Sequence, residues 1–157
     1  MQVPTLVAGL IVLNATGFSC GVAALASAGG TPPRARHEHL LKHARVGNEY
    51  EVARILEQSP ATLSQLNLAL AASARFNHIV VMELLVRHGA DDLDSAMYHA
   101  AAANQVQALR WLTSPSREKP AQDLAGARET ASTAGSTEAE WICLTAMRER
   151  ADRGGLM

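Results

Sequence analysis

In residues 77 to 92, NHIVVMELLVRHGADD, Val80, Val81, Leu84 and Leu85 recur at helical spacing and the pattern stops at Gly89. The spacing predicts a short amphipathic helix with a wide apolar stripe. An isolated helix of about ten residues is marginal in water, so the stripe has to be buried against other elements. Similar stripes stand on either side. Val52, Ile55 and Leu56 follow Gly47; Ala108, Leu109, Trp111 and Leu112 follow Asn104. Gly47, Asn77 and Asn104 lie 30 (77 − 47) and 27 (104 − 77) residues apart. Small residues precede each of them, Ala44, "AASA" at 71–74 and the Ala run at 100–103. The unit is therefore a first helix ending in small residues, a Gly or Asn, a second apolar helix and a turn.

Each position has a physical reason. Gly or Asn can take positive φ and so stop the first helix. Small residues before it let neighbouring helix pairs approach closely, and the Leu-Leu or Ile-Leu pair fills the space between layers. Gly89 suits the residue that closes the second helix. Asp94-Ser95 offers an N-cap to "AMYHAA". Farther on, "SPSREKPAQD" (114–123) reads as a polar loop. Gly135, 31 residues past Asn104 (135 − 104), restarts the frame, with Trp141, Ile142 and Leu144 behind it. This last unit is more polar, as a terminal capping repeat should be.

"NHIVVMELLVRHGAD" resembles the second helix and closing turn of an ankyrin repeat. "SAMYHAAAANQVQALRWL" resembles a following repeat and "HLLKHARVGNEYEVARIL" a preceding one. Ser95-Ala96-Met97-Tyr98 stands where the family prefers Thr-Pro-Leu-His. The resemblance covers residues 38 to 114. The spacings fall below the roughly 33 residues of that repeat, so the fingers between repeats are expected to be shortened. The expected fold is all-α: a solenoid of stacked helix–turn–helix, ankyrin-like repeats with an apolar N-terminal helix. The expected organisation is an apolar segment at 1–33, repeats at 34–114, a linker loop at 115–126, a degenerate capping repeat at 127–150 and a flexible tail at 151–157.

No Asp, Glu, Lys or Arg precedes Arg34. Residues 3–28 are long enough to cross a bilayer, which takes about 20 apolar residues, and Ala26-Ser27-Ala28 is like a signal-peptidase site. Against a secretory signal, no basic residue precedes the run. If it spans, Arg34 and Arg36 favour a cytoplasmic C-terminal side. The other reading is a first repeat, because Gly17 lies 30 residues before Gly47 (47 − 17). The two readings imply a membrane-associated or exported protein and a cytoplasmic one, respectively.

Composition narrows the chemistry. The chain has 157 residues, 48% hydrophobic but only 4% aromatic, which suits close helix packing by small and aliphatic side chains. A net charge of -1 gives no global basic field for nucleic acid. Cys20 and Cys143 are too few for a disulfide framework and read as buried thiols. His37, His39 and His43 tempt a metal reading, but Leu41 stands where a His-Glu-x-x-His motif needs its second histidine, and exposed helix-start histidines are preferred. His78 is expected to tether adjacent loops, or else to be a solvent histidine; His99 reads as a core or interface residue, and Trp111 and Trp141 as core. No nucleophile elbow or phosphate loop is present. No enzyme activity, cofactor or metal is expected.

The resemblance implies a partner-binding protein. In the ankyrin family the positions just before each Gly or Asn face the concave groove, here Arg45, Val46, Arg75 and Phe76. Phe76 beside Arg75 would form a small hot spot; folding inward to patch a shortened finger is the alternative. The turns at Asp91, Asp92 and Asp94 join the expected surface. The expected partner is another protein, not nucleic acid. The alternative is a membrane-tethered or exported helical-repeat protein whose segment 3–28 sets its role.

Overall fold

A computed structural model describes residues 33–115 and 120–154. The apolar run at 3–28, with both of its readings, lies outside them. The described residues form eight α-helices and no strand: α1 (Pro33–Val46), α2 (Glu49–Gln58), α3 (Leu63–Arg75), α4 (Ile79–Arg87), α5 (Leu93–Ala102), α6 (Val106–Thr113), α7 (Leu124–Thr133) and α8 (Thr137–Gly154). They group as four helix–turn–helix pairs. The first helices pack in series, α1 on α3, α3 on α5 and α5 on α7. The second helices do the same from α2 through α4 and α6 to α8.

The four residues that stop the first helices set the frame. Gly47 (φ 80), Asn77 (φ 63), Asn104 (φ 54) and Gly135 (φ 71) all sit in the left-handed region, which Gly and Asn reach at least cost. Gly89 (φ 103) closes α4 in the same way. At Gly47 a side chain would also have no room, because a Cβ would lie 2.4 Å from Nδ1 of His78.

Counted from the first three of these residues, equivalent positions carry equivalent side chains. Three before stand Ala44, Ala74 and Ala101, all fully buried; seven before stand Leu40, Leu70 and Met97, also buried. Five after stand Val52, Met82 and Leu109, buried between successive second helices. Ile55 and Leu84 pack against this core and Leu112 is inside it. The stripe of α4 is Val81, Met82 and Leu85, with Leu84 half-buried. Val80, expected on that stripe, is instead 60% exposed. It sits at the start of α4, one residue before the strip of the helix that its neighbours cover.

Several boundaries differ from the expected ones. α5 is capped by Asp92, whose side chain accepts from the Ser95 amide at 3.0 Å, not by Asp94-Ser95. α7 starts at Leu124, inside the stretch read as a linker, because Asp123 caps it through the Gly126 amide and Leu124 is buried like Leu93. α8 runs to Gly154, into the stretch read as a tail. Trp141, expected in the core, is 62% exposed; Ile142 takes the buried place beside it, and Trp111 is half-buried against the core. His99 is exposed and not in the core.

Polar side chains tie one pair to the next. Asn77 Oδ1 accepts from the amide of Ala108, 31 residues on, at 2.9 Å. Asn104 Oδ1 accepts from Ala139, 35 residues on, at 3.2 Å. At the opposite ends of the first helices a second series runs. Asn67, ten residues before Asn77 (77 − 67), accepts from the amides of Asp91 (3.0 Å) and Asp92 (3.3 Å). Asp94, ten before Asn104 (104 − 94), accepts from Gln122 (2.6 Å) and Asp123 (3.0 Å). These bonds satisfy turn amides that no helix pairs.

Tyr98 adds a third tie, donating its hydroxyl to Asp123. That hydrogen bond, with a smaller contribution from burial, pushes the Tyr98 pKa up to about 12. The same bond, helped by the Gly126 amide, holds Asp123 below the usual carboxylate value. A raised phenol pKa means that its contribution is complete below the unfolded value of 10.0 and is lost as pH rises through about 12. The depressed Asp123 contributes above its unfolded value and loses its contribution as pH falls through the folded one. The melting-temperature gap between wild type and Tyr98→Phe is therefore expected to be widest between about pH 5 and pH 9 and to narrow at both extremes. A gap that does not vary with pH would refute this coupling.

Candidate functional site

α1 and α3 end side by side, and their last residues make one surface. Arg45 and Val46 close α1; Arg75 closes α3 and Phe76 caps it. Phe76 neither folds inward nor projects freely. The residue is 43% exposed, and two side chains contact its ring. The Arg45 guanidinium lies over it, 5.7 Å from the centroid, in cation–π geometry. The His78 ring stacks on it at 6.4 Å with an interplanar angle of 26°. His78 is itself fixed, its Nε2 lying 3.0 Å from the Arg45 carbonyl oxygen, which accepts. This is the loop tether expected of His78. Val46 is 69% exposed beside this cluster. Arg75 is exposed and has no ion-pair partner among the described residues.

The same surface changes character along the series. The residues equivalent to Arg45-Val46 and Arg75-Phe76 are Ala102-Ala103 in the third pair and Thr133-Ala134 in the fourth. Their small side chains leave a shallow groove over α5 and α7, lined by Tyr98, Ala102, Glu129, Thr133 and Ala134. A basic, aromatic ridge thus gives way to a groove.

Asp91, Asp92 and Asp94 belong elsewhere. They cluster at the start of α5, next to Asn67 of α3. Phe76 lies nine residues along the chain from Asn67, about 14 Å at a helical rise. The three carboxylates also have internal work: Asp91 accepts from Asn67 Nδ2 at 3.0 Å, Asp92 caps α5, and Asp94 holds the turn before α7. The structure therefore brings Arg45, Val46, Arg75 and Phe76 together and sets the aspartates apart. What sequence reasoning missed is the pair Asn67 and Asp94. Their signal was a polar residue ten places before a Gly or Asn.

The Cys143 thiol is buried, and burial, reinforced by the charge of Glu140, pushes its pKa up, which keeps it protonated and inert. The His39 and His43 rings stack with centroids 6.4 Å apart, and the side chain of His37 lies outside the described residues. Among the described residues no group of three or more His, Cys, Asp or Glu is arranged to hold a metal ion. Nor is any described helix long and apolar enough to cross a membrane.

No protein-family model matches the chain, and no curated protein sequence matches it well enough to be counted a relative.

Proposed function

We propose that the chain is an ankyrin-like solenoid that acts as a non-catalytic protein-binding scaffold. Its recognition surface is the one built by Arg45, Val46, Arg75 and Phe76 and continued by the groove over α5 and α7. The paired helices, their step of about thirty residues, and the Gly or Asn at each helix stop support the solenoid reading. The observation that carries the binding reading is Phe76. An aromatic residue left 43% exposed, yet packed against both Arg45 and His78, loses little conformational freedom on contact. The unpaired Arg75 beside it favours a partner segment carrying carboxylates. Asp91, Asp92 and Asp94 form a secondary margin, since their carboxylates serve the fold first.

The test is a pull-down with the full chain as bait. Phe76→Ala and Arg75→Glu should each lose the retained partner by about 30-fold or more, as loss of a hot spot would, while circular dichroism stays unchanged. Retention of the same partner by both folded variants would rule this surface out.

A further inference from the structure

In the first and last pairs of the described residues, three of the four outer helix faces are polar. On α1, His39 and His43 occupy positions that later pairs fill with the buried Ala69 and Ser73, Ala96 and Ala100, Ala127 and Ala131. On α2, Glu51 and Arg54 form an ion pair of 2.6 Å where α4 has Val81 and Leu84. On α7, exposed Arg128 and Ser132 replace the buried Met97 and Ala101. On these three faces polar or charged side chains thus stand where other pairs bury small or apolar ones. α8 does not follow. Leu144 stands where Leu56 and Thr113 are buried, and it is 43% exposed, with Trp141 and Met147 beside it also exposed.

We infer that α8 pairs with the α8 of a second copy of this chain, antiparallel, in a two-fold contact centred on Leu144. Glu140, Trp141, Met147 and Arg148 each lie three or four residues from Leu144 and share one strip of the helix with it. An antiparallel two-fold through Leu144 sets each residue level with the one equally far beyond 144 in the other copy. Glu140 and Arg148 are both four residues from Leu144 (144 − 140 and 148 − 144), so each copy's glutamate comes level with the other's arginine, twice per dimer. Trp141 comes level with Met147, and Leu144 meets itself. The strip is therefore charge-complementary to its own inverted copy, as an isologous interface requires. A parallel pairing would set Glu against Glu and Arg against Arg. α8 also has 18 residues against 8 to 10 in α2, α4 and α6, so it offers a longer surface than its neighbours.

Sedimentation equilibrium of the full chain over a dilution series tests this, with circular dichroism confirming the fold of each variant. Wild type should show a monomer–dimer equilibrium. Glu140→Arg and Arg148→Glu alone should each weaken the dimer about tenfold or more, by placing like charges level. The double variant should recover to within about threefold of wild type, because residues eight apart on one helix do not meet within a copy. Leu144→Asp should be monomeric. The inference is overturned by a monomer at every concentration, by a dimer indifferent to Leu144→Asp, or by a double variant as weak as the single ones.

Discussion

Met97→Arg is expected to abolish cooperative folding of the helical series. Met97 is fully buried between α5 and its neighbours, at the heart of the first-helix layer. A guanidinium placed there finds no carboxylate among the buried residues, and the effective cost of such an unpaired charge is several kcal/mol. A domain of this size has only about 5–15 kcal/mol in hand. The chain contains its own control. Arg128 occupies the equivalent place on α7, where no further first helix follows, and it is exposed. Arg128→Met should therefore leave the thermal melt within about 0.5 kcal/mol of wild type. Met97→Arg, followed by circular dichroism, should show no sharp transition. A cooperative melt near the wild-type temperature would mean that α5 and α7 do not pack as described.

Asn77→Ala is expected to cost about 2–5 kcal/mol, from two separable causes. The first is backbone: alanine at φ 63 carries a left-handed penalty of about 1–2 kcal/mol. The second is the amide of Ala108, left without its acceptor inside the α4–α6 contact, at about 1–3 kcal/mol. Asn77→Gly removes only the second cause and should fall between wild type and alanine in a urea titration. Equal costs for both variants would mean that the hydrogen bond carries the whole effect, and a glycine variant as stable as wild type would mean that it carries none.

The helix stops were readable because the left-handed region restricts residue choice, so Gly47, Asn77, Asn104 and Gly135 announce themselves in sequence. The helices themselves followed from apolar spacing. Which apolar residues face inward was less readable. Val80 and Trp141 look like core by type, yet a thin layer covers only part of each helix's circumference, and a shift of one residue moves a side chain 100° around it. The caps of α5 and α7 were hidden among several Asp and Ser residues that are each competent to cap. Which one does so depends on where Leu93 and Leu124 must enter the core. The role of Asp94 left only a faint mark, a polar residue ten places before Asn104, because its partners lie 28 and 29 residues away in a turn. At the candidate site, sequence placed Arg45 two residues before Gly47 and Phe76 one before Asn77. Their contact across adjacent pairs, and the part His78 plays in it, needed coordinates.

The central claim is that successive helix pairs are locked in register by a residue in one pair reaching the next. Amide hydrogen exchange at Ala108 and Ala139 tests it most directly. Both are the third residue of a second helix, where an amide has no partner within its own helix and ordinarily exchanges fast. Each is predicted to exchange slowly in the wild type. Asn77→Ala should release Ala108 and spare Ala139, while Asn104→Ala should do the reverse. Fast exchange at both amides in the wild type, or protection that neither substitution removes, would contradict the account.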